Sequence, residues 1–202
     1  MDLELDHIVV SAATLEEGAA HVEDALGLPL AGGGKHAYMS THNRLLGLGP
    51  TDYFELIAID PDAPPVPRPR WFRLDEFAGA PRLTNWVCRT PDLARALASA
   101  PEGTGAIVDL ERGDFRWRMG VPADGRLPYD DGFPGLIEWR GPRPSERLPD
   151  SGARLTRLEV AHPDARAIRA ALGLTDPRVI FVEGPPARRA TFATPHGQRV
   201  LE

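Results

Sequence analysis

The sequence predicts an α+β fold of repeated βαβββ modules, whose curved mixed sheets enclose a cavity and are each backed by a helix. Three observations predict it. RLTNWVCRTPD (residues 82–92) and RLTRLEVAHPD (residues 154–164) share RLT and PD at identical spacing, 72 positions apart, and each leads into an alanine-rich stretch. LDHIVVSAATLEEGAAHVEDALGL, near the start, follows the same order without the identities: an apolar run, a short break, an amphipathic segment. Strand-like runs punctuated by Gly and Pro then follow in every copy.

The helices are argued in order. Thr14 with Glu17 three residues on has the spacing of a capping box. Leu15, Ala19, Val22 and Leu26 fall on one face, and Gly27 is placed to close the helix in a left-handed turn. In the second copy Pro91 is expected in the first helical turn, where a missing N–H costs nothing, and Leu93, Ala96, Leu97 and Ala100 make the apolar face. Pro163 has the same expected role in the third, with Ala165, Ile168 and Leu172 facing inward. Strands are expected at KHAYM, NRLLGLG and YFELIAID, then at AIVDLER, FRWRMGV and GLIEWRG, and finally at RVIFVEG, RRATFAT and QRVLE.

These runs divide the chain into module one at residues 1–60, a Pro-rich linker at 61–81, module two at 82–141, a linker at 142–152 and a βαβββ-like module three at 153–202. The proline spacing of DPDAPPVPRPRWFRLDEF favours extended geometry and a surface crossover. A sheet so short cannot bury both faces alone. Modules one and two are therefore expected to pair, with the third at the flank or against a second subunit, which allows a homodimer.

Composition narrows the function. The 202 residues are 42% hydrophobic and 26% charged, ordinary values for a folded domain. A net charge of -6 without basic runs argues against a nucleic-acid partner. One cysteine, Cys88, fits a reducing compartment and reads as a small buried hydrophobe. The acidic start lacks the pattern of a signal peptide, and no apolar stretch suits a membrane span, so a cytoplasmic location with no membrane partner is expected. G-x-S-x-G, G-x-x-x-x-G-K-[ST] and G-x-G-x-x-G are all missing.

Two residues interrupt otherwise apolar strands. Leu5, His7 and Val9 share one face of the first strand by alternation, and Tyr53, Glu55, Ile57 and Ile59 share one face of YFELIAID. Both strands are apolar on both faces, as in a sheet covered on each side. A carboxylate there needs a cation, a donor or a raised pKa. His7 is read either as a cavity-facing ligand or as a satisfied core histidine.

An LDHIVV-type first strand, a capped helix and an FELIAID-type strand together resemble the vicinal oxygen chelate superfamily of glyoxalase I, extradiol dioxygenases and bleomycin-resistance proteins. GGGKHAYMSTHNRLLGLGPTDYFELIAID is similar to the glyoxalase-like domain family within it. The resemblance runs over residues 3–60 and more loosely over 82–140. It implies that first and last strands of paired modules face one cavity and hold a divalent metal, Mn, Fe, Ni or Zn. His7 and Glu55 would be ligands, and Glu138 of GLIEWRG a third ligand or the catalytic general base. Asn85 stands where a second-module ligand would be, which departs from the pattern. His42 and Asn43 would wall the substrate site, as Asn85 would. Arg116 and Arg118, on one strand face, would either clamp an anionic group or lie on a solvated outer face.

Of the other histidines, His36 is read as surface, His21 as solvated, His162 as a helix-start residue and His196 as a turn residue. The implied activity is a metal-dependent lyase, isomerase or dioxygenase acting on a small oxygen-bearing organic molecule. The competing reading is a metal-free small-molecule-binding protein of the bleomycin-resistance type, with no cofactor. A third is a fold that has lost its chemistry and serves assembly.

Overall fold

Aliphatic and β-branched residues fill Glu4–Ser11 and make β1, the strand on which the rest is assembled. The computed structural model describes residues 2–202. After β1 the Thr14 hydroxyl accepts the Glu17 N–H at 3.1 Å and starts α1 (Leu15–Leu26). Gly27 ends it at φ 69°, its N–H on the Glu23 carbonyl. Strands β2 (Lys35–His36), β3 (Thr41–Gly47) and β4 (Tyr53–Ile59) complete the first copy. The second comprises β5 (Arg82–Arg89), α2 (Leu93–Ser99), β6 (Ala106–Arg112), β7 (Phe115–Val121) and β8 (Gly135–Trp139). The third comprises β9 (Arg154–Ala161), α3 (Ala165–Leu172), β10 (Val179–Val182), β11 (Ala187–Thr194) and β12 (Gly197–Leu201).

Copies one and two share a single eight-stranded sheet in the order β2-β3-β4-β1-β5-β8-β7-β6. In each, the first strand lies parallel to the last, and the copies join where β1 runs antiparallel to β5. The sheet curls until its two edges meet: Arg112, at the end of β6, reaches His36 on β2. The third copy keeps the order of elements but not the connections. There β9 pairs parallel with β10 and antiparallel with β11, in a separate sheet ordered β10-β9-β11-β12. A two-residue turn at Pro195–His196 joins β11 and β12 in a hairpin, with β12 at the sheet's edge and β10, not the last strand, parallel beside β9.

Two apolar cores lie on the two faces of the large sheet. One joins Ile8, Val10, Phe54 and Trp86 to the stripe of α1 and to Leu158, Ile168 and Phe192 of the third copy. The other, on the concave face, joins Val9, Ile57, Val87 and Ile137 to Trp71, Phe72 and Leu74. These last three belong to the 3-10 segment Trp71–Glu76, which the proline pattern assigned to a surface linker. The segment instead closes the sheet. Ser40 Oγ donates to the Pro64 carbonyl at 2.6 Å, and Arg68 and Arg70 donate to the carbonyls of Tyr38 and Met39.

Three local expectations are corrected. Pro91 and Pro163 precede their helices, because Asp92 and Asp164 take the cap positions; the Asp92 carboxylate accepts the Arg95 N–H at 3.0 Å. KHAYM forms strand only at its first two residues, then turns through Ser40 at φ 49°. Leu5 does not share a face with His7. A register shift between them against β5 sends Leu5 to the helix-side core and His7 to the concave face.

Gly18 shows how tightly α1 is seated. A β-carbon there would lie 2.4 Å from Leu56 Cδ1 and 2.7 Å from the Ala12 methyl. Overpacking costs about 1–3 kcal/mol, against about 1 kcal/mol gained in helix propensity. Gly18→Ala is therefore expected to lower the urea-unfolding free energy by up to about 2 kcal/mol. A more stable variant would contradict this packing.

Candidate functional site

The site begins with the shift in β1. Asp6 and His7 both turn into the concave side, and the Asp6 carboxylate accepts from His7 Nδ1 at 2.7 Å and from Trp139 Nε1 at 3.0 Å. That bond fixes the ring and aims Nε2 inward. Parallel pairing sets Glu55 of β4 opposite Val9, two residues along from His7, and brings Glu55 Oε2 to 3.5 Å from His7 Nε2. Asn43 of β3 donates through Nδ2 to Glu55 Oε1 at 2.5 Å. Its Oδ1 accepts the Gly34 N–H at 2.9 Å and Arg112 at 2.7 Å. Tyr53 stacks on His7, ring centroids 4.5 Å apart.

His36 stands beside this group with Nδ1 on the Thr41 hydroxyl at 3.0 Å and Nε2 at 3.3 Å from Arg112. Trp71, Phe72, Trp117, Met119, Ile137 and Trp139 supply apolar walls. The enclosed space is about 40 Å³, room for an ion or a water. Arg112 also lines an outer cleft of about 360 Å³ bounded by Phe115, Pro144 and Arg147. It is thus the partition between a small inner chamber and a larger vestibule.

Burial would lower the pKa of His7, but bonds to Asp6 and Glu55 outweigh it and raise the value to about 9. Burial would raise Glu55, but His7, His36 and Asn43 outweigh it and hold the carboxyl at about 2. The pair is an imidazolium and a carboxylate when nothing else is bound. His36 goes the other way: burial, with Arg112 and His7 nearby, pushes it down to about 4 against the pull of Glu55, so its ring is neutral. Burial also raises the Tyr53 phenol and keeps it protonated.

The structure brings His7, Glu55 and Asn43 together, and separates the remaining sequence-predicted residues from them. Glu138 is corrected from ligand and base to a structural carboxylate. Alternation in β8 turns Ile137 and Trp139 to the cavity and Glu138 away. There Glu138 accepts the Leu93 N–H at the start of α2 (2.9 Å), Arg118 (2.6 Å) and Arg140 (2.9 Å). Arg118 is therefore occupied on the outer face, and exposed Arg116 pairs with Glu111; Trp117 between them faces the cavity. His42 alternates with Asn43 and so points out of the chamber. Asn85 keeps to the concave side but opens into a different cleft, described below.

Sequence reasoning missed Asp6, His36, Arg112 and Trp71. Asp6 adjoins His7, but only the register shift makes neighbours in sequence share a side. His36 was assigned to the surface, and the curl of the sheet buries it beneath Arg112.

Four further histidine and cysteine assignments are settled by position. His21 and His196 are exposed, the ring of His162 accepts the Asp164 N–H at 2.9 Å before α3, and the buried thiol of Cys88 is raised well above its ordinary pKa by burial. No helix among the described residues is long and apolar enough to cross a membrane.

Comparison with known proteins places this geometry in a family. The model of the glyoxalase-like domain matches residues 5–175, and the chain belongs to that family. No curated protein matches. A hypothetical protein from Staphylococcus aureus superposes with a TM-score of 0.59 at 14% identity, over 99% of this chain and 84% of that one. Methylmalonyl-CoA epimerase from Mycobacterium tuberculosis aligns with a TM-score of 0.44 at 20% identity, over 67% of this chain and 85% of its own. At 14% identity the first of these likenesses speaks to fold alone.

The pKa shifts carry a sign that can be measured. The His7 value is raised from 6.5 to about 9, so its contribution to stability is complete below about pH 6.5 and fades as pH rises through 9. Glu55, lowered to about 2, stays charged over that whole range. The stability gap between the parent and His7→Gln, from urea unfolding, should be largest near pH 6 and shrink by pH 9.5. An equal gap at both pH values would contradict the imidazolium–carboxylate pair.

Proposed function

We propose that this member of the glyoxalase-like family is an enzyme that binds a divalent metal at His7 and Glu55 and acts on a small oxygen-bearing organic molecule by proton transfer, as an isomerase or lyase does. The observation that carries this reading is the 3.5 Å between His7 Nε2 and Glu55 Oε2 inside a buried aromatic chamber. Two ligands at about 2.0–2.2 Å from one tetrahedral ion stand roughly 3.4 Å apart. The donor types suit Mn²⁺, Fe²⁺, Ni²⁺ or Zn²⁺ without selecting among them. The Asp6 carboxylate on His7 Nδ1 is the kind of outer partner that fixes a ligating imidazole.

A bound ion would supply Lewis acidity toward a substrate oxygen as negative charge develops there. The protein's own residues have separate tasks. Asp6 holds the His7 ring in place, and Asn43 holds Glu55. Neutral His36 faces the same chamber and steadies the Arg112 guanidinium at its rim. Arg112 swings away to join chamber and vestibule, then returns to pair with an anionic oxygen and exclude water. The substrate is accordingly a small oxygen-bearing molecule that the vestibule of about 360 Å³ admits.

A second reading has one observation in its favour. Among the described residues, no group of three or more His, Cys, Asp or Glu is arranged to hold a metal ion. In that reading the chamber and vestibule bind a small molecule without metal, and the buried ion pair is a hydrogen-bonding floor.

Metal content separates the two. After incubation with Mn²⁺, Fe²⁺, Ni²⁺ or Zn²⁺ and removal of free ion, mass spectrometry should find close to one ion per chain. His7→Ala and Glu55→Gln should each retain less than a tenth of that, with unchanged circular dichroism. Absence of all four metals from the parent would remove the metal-dependent reading and leave the binding protein.

Arg112 gives a second test. A β-carbon on Gly34 would sit 2.7 Å from Arg112 Cδ, so Gly34→Ala displaces the arginine while preserving the ligands. Metal content should then be unchanged and exchange with external chelator several-fold faster. Unaltered exchange would show that Arg112 does not control access.

A further inference from the structure

Phe72 walls the inner chamber on one side and, on the other, a separate cleft of about 430 Å³ between the large sheet and the third copy. Asn85 forms part of its floor. It is 1% exposed, and neither its Nδ2 nor its Oδ1 has a hydrogen-bond partner. Buried amides are nearly always bonded, because leaving both ends unpaired forfeits their hydration without return. A group with a donor and an acceptor at this place would answer both.

Two arginines face the same space. Arg188 donates through one terminal nitrogen to the Asp130 carbonyl at 3.0 Å, while its buried Nε has no partner. Arg82 donates to the carbonyls of Ala78 and Ala80, and its guanidinium lies 4.4 Å from the centre of the Phe77 ring. Among the described residues, neither has a carboxylate at ion-pair distance. Most acids on the rim are already engaged: Glu76 with Arg73 and Arg126, Asp131 with the Leu127 N–H and Glu202 with Arg189. Only Asp130 on the rim offers a carboxylate without such a bond.

The backbone around the cleft is held in costly conformations. Of six non-glycine residues with left-handed φ among those described, Phe72, Arg73, Asp130 and Asp131 border it. Strain of this kind persists where a surrounding structure imposes it, and it gathers at binding sites.

We propose that this cleft is a second ligand site, distinct from the His7–Glu55 chamber, for a small organic oxyanion. Its carboxylate or phosphate lies between Arg82 and Arg188, and a hydroxyl or amide on the same molecule satisfies both ends of Asn85. Arginine's planar fork suits either anion. The ligand is small, because the third copy and the Asp130–Asp131 loop close the cleft on two sides. Its two anchors demand a hydroxy acid or a hydroxyl-bearing phosphate ester, not a bare anion.

Calorimetry on the intact protein tests this with defined probes. Lactate and glycerol 1-phosphate carry both anchors; acetate and inorganic phosphate carry only the anion; glycerol carries only the hydroxyl. At least one two-anchor probe should bind ten or more times more tightly than its single-anchor counterpart, and which one does identifies carboxylate or phosphate as the natural group. Asn85→Leu, which leaves an apolar residue in a buried place, should fold at least as stably as the parent and bind that probe at least tenfold more weakly. Arg188→Gln should weaken it similarly, and His7→Ala should leave it unchanged. No binding by any probe, or equal binding by the parent and Asn85→Leu, would overturn the proposal. Loss of binding in His7→Ala would also overturn it, by placing the ligand in the first chamber.

Discussion

Three ionisable side chains, Asp6, His7 and Glu55, are buried in a sheet whose strands are otherwise apolar on both faces, and each is tolerable only because of the others. The imidazole lies between two carboxylates; removing it leaves two like charges facing each other away from water. Their meeting depends on features spread over the whole first half of the chain. A register shift in β1 turns Asp6 and His7 to one side, parallel pairing sets the height of Glu55, and Asn43 from β3 ties Glu55 down. Because β1 is at the centre of the sheet, these requirements also fix where its other face packs. The core of α1 and the third copy lies directly behind the charges.

The two faces of the sheet are covered by different devices. Helices and the third copy bury one through ordinary apolar packing. The concave face is closed by a short irregular segment whose Trp71, Phe72 and Leu74 are buried while its backbone passes through left-handed conformations. Phe72 then separates two cavities of different character. One is a small aromatic chamber around a buried ion pair; the other is a larger polar cleft with arginines and an unpaired amide. Arg112 performs the corresponding division toward solvent, closing the rim where the sheet's edges meet.

Much of the fold was legible because its signals are local. RLT and PD at fixed spacing revealed the copies, Thr14 and Gly27 marked the ends of α1, and a lone glutamate in YFELIAID marked the concave face. His7, Glu55 and Asn43 could be placed on strands in the same way, whereas the expectation that they share a cavity came from the family resemblance. What escaped depends on tertiary geometry. Glu138 looked like Glu55, yet one step of alternation placed it at the start of α2. His36 looked superficial until the sheet curled over it. Trp71 and Phe72 sat in a segment whose prolines suggested exposure, and only hydrogen bonds from Ser40, Arg68 and Arg70 show how it is pinned. The third copy preserved the order of elements while its pairing changed, with β10 instead of the last strand parallel to β9, a distinction periodicity does not carry.

The central claim is that His7 and Glu55 converge on one ion. Anomalous diffraction from crystals grown with Mn²⁺, recorded above and below the manganese edge, tests it most directly. The account predicts a single strong peak within about 2.0–2.4 Å of both His7 Nε2 and Glu55 Oε2, with the Asp6 bond to Nδ1 intact. A chamber without a peak, its imidazole and carboxylate still paired, or manganese bound only elsewhere on the molecule, would contradict it.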